Sequence, residues 1–181
     1  YRSDALRFQG VLRKRLGKFA LALEPSKTRL VEFGRYAQKH AQKWKRKTET
    51  IYFLGFTHYC TRNSKGNFMV GRKTEKTRLR RSFEKLRELM RTIRHHKVED
   101  QVGAINQVLR GHYAYYGLGG NHKSLWKVYR FSEKYWHKML CSRSQKSYIT
   151  WEKFNLMKER HPIQLPKLRL TFSGMQALAV L

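Results

Sequence analysis

The chain has 181 residues, and 40 Lys and Arg against 12 Asp and Glu give it a formal charge of +28. A 40% hydrophobic and 13% aromatic content excludes a disordered chain, and no apolar run approaches the roughly 18–20 residues of a bilayer span. Two cysteines, Cys60 and Cys141, exclude a disulfide framework and a four-cysteine zinc site, and fit a reducing compartment.

Ser3 and Asp4 read as the cap of a helix on which Ala5, Phe8, Leu12, Leu16 and Phe19 recur at helical spacing, with Gly17 weakening its end. Residues 19–23 read as a short strand, broken at Glu24-Pro25-Ser26, with residues 28–33 as its partner up to Gly34. Residues 35–50 hold few large apolar side chains. Lys39, Lys43, Lys45, Arg46 and Lys47 cluster there around Trp44, which predicts a flexible basic loop. Residues 51–56 resume as a strand, Asn63 to Asn67 signal a turn, and residues 68–70 return as the second arm of a β-hairpin.

From Thr74 the period becomes helical, with Leu79, Phe83, Leu86, Met90 and Ile93 on one stripe. Nine Lys/Arg and three Glu over residues 74–97 lie mostly off it. A second helix begins near Val98 with Val102, Ile105, Leu109 and Tyr113 aligned, and ends in the glycines of 117–120. A third follows Asn121 and aligns Leu125, Tyr129, Trp136 and Leu140. A shorter fourth carries Trp151, Phe154 and Met157 and stops before Pro162 and Pro166. The expected class is α+β: helix and short strands over 1–72, a helical bundle over 73–170, and a tail over 171–181.

A domain this positive repels itself unless it meets an anion, and nucleic acid is the expected partner. Anionic membrane fits less well, because the basic residues run along the whole chain. The only aspartates are Asp4 and Asp100, too few and too far apart in sequence for a two-metal phosphoryl-transfer site. Neither His95-His96 nor Asn121-His122 has further ligands at metal-site spacing, so both read as surface or RNA-contacting groups. Ser26-Lys27 resembles a Ser–Lys dyad but sits in a turn. The glycines at 66, 71, 117, 119 and 120 match no phosphate-loop spacing. RNA contacts are expected from Lys43, Lys45, Arg46 and Lys47, from Arg78 and Arg81, from Arg110, His112 and Tyr115, and from Lys123 and Arg130. Tyr113 and Tyr116 fall on the apolar face and read as core.

Leu23-Glu24-Pro25-Ser26-Lys27-Thr28-Arg29-Leu30, followed by Phe33-Gly34-Arg35, resembles the segment after the catalytic box of group II intron reverse transcriptase/maturases. Phe53-Leu54-Gly55-Phe56 resembles the next block, which opens the thumb. Ile105-Asn106, Leu109-Arg110-Gly111 and Tyr115-Tyr116 resemble the maturase region, with Trp151, Phe154 and the proline-bearing stretch after His161 at its end. The order and spacing of these blocks, over roughly residues 1–170, carry the resemblance.

It implies the end of a reverse-transcriptase palm followed by a helical thumb and maturase domain. The family's Tyr-Ala-Asp-Asp box is absent, and Tyr1-Arg2-Ser3-Asp4 does not replace it. No catalytic residue is therefore expected in this chain. Lys27 matches a palm lysine near the incoming nucleotide's phosphates, and residues 53–56 match a primer grip. Mg²⁺ is expected only for the full-length polymerase. The implied partner is group II intron RNA, with an RNA/DNA primer–template duplex as a second and no membrane. The implied work is stabilising folded intron RNA for splicing. Part of an active RNA-directed DNA polymerase, and a general basic nucleic-acid-binding module, are the alternatives. With no cysteine pair after Pro166, no endonuclease is expected, and the apolar tail from Leu170 departs from the family. The expected compartment is the bacterial cytoplasm rather than an organelle.

Overall fold

The computed structural model describes residues 2–171 and 173–174. Helix α1 spans Arg2–Gly17. Ser3 and Asp4 lie inside its first turn, where the carboxylate of Asp4 opposes the positive end of the helix dipole. None of its side chains is buried, and Phe8 is 67% exposed, so its apolar stripe joins no core among the described residues.

The two strands expected at 19–23 and 28–33 do not form. Phe19 and Ala20 are used up in closing α1. Phe19 N donates to Leu16 O, Leu21 N also reaches Leu16 O, and Ala20 takes φ +55° at the helix end. Glu24 then organises a turn. Its Oε1 accepts from the amide and hydroxyl of Ser26, which hold its carboxyl below the usual range, and its backbone O accepts from Thr28 Oγ1 at 2.8 Å. Donors of the following segment find side chains instead of a ladder: Glu32 N donates to Glu49 Oε2 and Gly34 N to Cys60 Sγ.

The expected loop over 35–50 contains a helix, α2, at Ala37–Lys43. Its buried face is made of Ala37 and Ala41, one turn apart, so burial comes from small side chains and leaves no large-residue stripe to read. Gln38 Nε2 donates to Cys60 O, and Glu32 takes both His40 and Arg46 as partners.

Strands β1 (Thr50–Phe53), β2 (Phe56–Arg62) and β3 (Phe68–Thr74) form one sheet in the order β1-β2-β3. The tight connections make it antiparallel. The expected single strand over 51–56 is in fact two strand ends and a turn. Leu54 and Gly55 stand at φ +47° and +75°, a two-residue hairpin loop whose twist matches its strands. The second turn is closed by Asn63, whose Oδ1 accepts from Lys65 N and Asn67 N.

Helices α3 (Lys76–Thr92), α4 (Val98–Tyr116), α5 (His122–Cys141) and α6 (Trp151–Arg160) follow, close to the periodicity of the sequence. Thr150 caps α6 by accepting from Lys153 N. Their apolar stripes meet in one core: Leu86, Met90, Ile105, Leu109, Leu125, Leu140, Trp136 and Phe154 are each no more than 1% exposed. Tyr113 is 4% exposed, and Tyr116 is half-buried against the cluster. Gln101 is buried at the turn into α4. Its Nε2 donates to the carbonyls of Arg94 and His96, and its Oε1 accepts from Trp136 Nε1 at 2.9 Å.

The segment after α6 returns along the bundle. Ile163 is buried, Gln164 N donates to Asn106 Oδ1, and Leu170 forms a parallel bridge with Leu118. Gly117 is required at that crossing, because a Cβ there would lie 2.3 Å from Tyr113 O and 2.9 Å from Lys167 O. The apolar tail after Gly174 lies outside the described residues.

The chain falls into two compact units. One runs up to Ile51 and includes Tyr59–Val70, and the other comprises Tyr52–His58 and the chain from Gly71 onward. No helix of the described residues is long and apolar enough to cross a membrane.

Candidate nucleic-acid interface

In the first unit, Lys43, Lys45 and Lys47 are exposed at and beyond the end of α2, and Lys43 Nζ lies 5.9 Å from the ring centre of Trp44, itself 69% exposed. Arg46 is held by Glu32, so its charge is compensated. Lys27 is exposed in the turn after Pro25, where its backbone N donates to Glu24 O at 3.1 Å, and its side chain has no hydrogen bond or ion pair among the described residues.

In the second unit, the tip of the β1–β2 hairpin is pinned to the helices. Glu75 N donates to Gly55 O at 2.9 Å, and Tyr115 Oη donates to Leu54 O at 3.1 Å. Phe56 is buried against Tyr116, with ring centres 5.3 Å apart, and lies parallel to Tyr115 at 6.3 Å. Tyr52, Phe53 and Leu54 remain more than 60% exposed, and Tyr115 remains 55% exposed. The tip thus offers apolar and aromatic surface on a fixed backbone. Arg78 lies beside it, with its Nε 3.9 Å from Glu75.

Arg81 and Arg110 are exposed on α3 and α4. His112 is not presented with them. It sits in the seam between α3 and α4, with its ring 4.7 Å from that of Tyr116 and its Nδ1 3.4 Å from Ser82 Oγ. Nε2 is buried without a hydrogen-bond partner, and burial pushes the pKa down from 6.5 to about 4. The imidazole is therefore neutral at physiological pH. Its folded pKa lies below its unfolded value, so the folded chain loses stability as pH falls from 6.5 towards 4. Compared with His112→Phe, the parent chain should lose about 2 kcal/mol more between pH 7 and pH 4.5. Urea-unfolding midpoints at the two pH values measure this, and equal losses in the two proteins would refute it.

A row of basic side chains lies on α5. Lys123, Lys127, Arg130, Lys134 and Lys138 fall at three- and four-residue steps on one exposed face. At 1.5 Å per residue they extend over about 22 Å. None has an acidic partner among the described residues, since the only carboxylate of α5, Glu133, is taken by Lys158 of α6. Sequence reading found Lys123 and Arg130 but missed Lys127, Lys134 and Lys138. Their spacing was visible, but choosing them needed the buried face of α5 to be known.

Along one edge of this face, α3 supplies Arg87 and Arg91. Arg87 lies 5.8 Å from the ring centres of both Phe131 and Tyr135, and Arg91 Nε donates to Tyr135 Oη at 2.9 Å. Phe131 is stacked against Phe83 at 4.6 Å and Tyr135 at 5.6 Å. This ladder fixes α3 to α5 and so fixes the cations on both.

The histidines single out no metal centre. Trp126 Nε1 donates to His122 Nε2, Arg94 Nε donates to His95 Nε2, and no group of three or more His, Cys, Asp or Glu among the described residues could hold a metal. The donor set does not fit the Mg²⁺ of a polymerase, which needs converging carboxylates. Compared with protein-family models, with curated proteins and with solved structures, the chain finds no match.

Proposed function

We propose that this chain is the RNA-binding maturase portion of a group II intron reverse transcriptase, and that it stabilises the folded form of the intron RNA for splicing. The observation that carries the reading is the row of uncompensated cations on the exposed face of α5, mounted on a helical core. The ordered sequence blocks supply the family. On that reading the hairpin tip corresponds to the start of the thumb, and α3 to α6 to the thumb and maturase domain.

The work assigned to the protein is binding, not bond-making. Lys and Arg displace counterions from phosphates. The exposed rings at the hairpin tip stack on unpaired bases. Apolar stripes keep the helices from rearranging under the load. A protein that binds native RNA more tightly than misfolded RNA shifts the population by that difference in affinity.

The test is competition between a folded group II intron RNA and an unrelated structured RNA of equal length, across a salt series. A preference for the intron of tenfold or more, about 1.4 kcal/mol, that persists at higher salt is the expected result. Equal affinity at every salt would refute the maturase reading and leave a basic RNA-binding module.

A further inference from the structure

We infer that the α5 face of Lys123, Lys127, Arg130, Lys134 and Lys138 docks the phosphate backbone of a double-helical RNA segment, and not a single strand. This deepens the proposed function and rests on its RNA-binding reading. Three observations set the ligand. First, the five charges lie on one rigid helix without carboxylate partners, so an anion meets them with no internal ion pair to break. Second, the row is about 22 Å long and its charges recur along it at near-regular intervals, so it matches the regularly spaced phosphates of a helical backbone.

Third, the face lacks a stacking platform. Sequence-tolerant binding of single strands needs rings on which successive bases stack. The rings bordering the row are already engaged: Phe131 with Phe83 and Tyr135, and Trp126 with His122 and Tyr129. The unit's exposed rings at Tyr52, Phe53, Tyr115, Tyr148 and Trp151 belong to the hairpin tip, the end of α4, the segment after α5 and the start of α6, not to α5, and Trp151 is itself engaged with His137 at 4.1 Å and with Phe154 at 5.4 Å. Phosphate contacts without stacking are the signature of shape-based duplex recognition.

The experiment uses the full chain and the variant Lys127→Gln/Lys134→Gln/Lys138→Gln. Its control is Lys146→Gln/Lys153→Gln/Lys167→Gln, which removes the same charge from exposed positions elsewhere in the same unit. The probes are a 20-base-pair RNA duplex, one of its strands, and the folded intron RNA. Exposed substitutions of this kind leave folding intact, which circular dichroism checks.

The α5 variant should bind the duplex at least tenfold more weakly, with a salt slope shallower by about 2–3. Its affinity for the single strand, and the control's affinity for the duplex, should stay within threefold of the parent. An equal or larger loss on the single strand would overturn the duplex assignment, and an unchanged duplex affinity or an equal loss in the control would overturn the face itself. Parent-chain preference for the intron reports separately on the maturase reading, so the two can fail independently.

Discussion

Trp136→Ala should destabilise the helical unit by about 4–5 kcal/mol, read as a shift in the urea-unfolding transition followed by circular dichroism. Trp136 is 1% exposed, and its ring centre meets Phe154 edge-on at 5.2 Å. Removing the indole opens a cavity at the centre of the core. It also removes the donor to Gln101 Oε1, leaving a buried amide oxygen unsatisfied beside the turn that Gln101 organises. Against the 5–15 kcal/mol typical of whole domains, this loss is a large share. Trp136→Phe separates the two effects, because it keeps most of the volume but not the donor, and about 2 kcal/mol is expected. A loss below about 2 kcal/mol for the alanine variant would mean that the core collapses around the gap.

Asn121→Ala should cost about 3–4 kcal/mol in the same measurement, although the residue is polar and lies at a helix start. Asn121 is 1% exposed and does not cap α5 through its side chain. It joins the end of β3 to the end of α4. Its Oδ1 accepts from Thr74 N at 2.7 Å and from Thr74 Oγ1 at 3.2 Å, and its Nδ2 donates to Tyr116 O at 2.9 Å. Thr74 is itself 4% exposed, so truncation strands several buried polar groups at once. A double-mutant cycle with Thr74→Val should show coupling of about 1 kcal/mol or more. Additive losses would show that the residues act separately, and a loss under 1 kcal/mol would show that water replaces the amide.

Four helices were legible as α3 to α6 because their stripes bury large side chains at helical spacing over ten or more residues, as Leu86 and Met90 do on α3. Where burial falls on small residues, the same reasoning fails. Helix α2 hides behind Ala37 and Ala41, which composition cannot tell from loop. Short apolar runs also mislead, because a strand needs a partner. Residues 19–23 read as β but are spent on a helix end and a turn. Residues 51–56 read as one strand until Leu54 and Gly55 take positive φ and divide it.

The candidate interface divides along the same line. Net charge and the 74–97 cluster make a polyanion the expected partner from sequence alone, because charge requires no fold to be counted. Which cations act together is a matter of faces. His112 reads as an RNA-contacting group beside Arg110, but two residues on it lies about 200° round the helix and turns into the α3–α4 seam, where burial keeps it neutral. Lys127, Lys134 and Lys138 gain their importance only once α3 and α6 have covered the rest of α5 and claimed Glu133.

By itself the sequence determined that this is a basic, foldable α+β chain with an amphipathic helical bundle, since periodicity and charge are local properties. Only the tertiary structure decided which polar side chains lock the bundle and which cations are left for a ligand. Burial, pairing and desolvation belong to residues brought together from distant parts of the chain, such as Asn121 with Thr74 and Glu133 with Lys158.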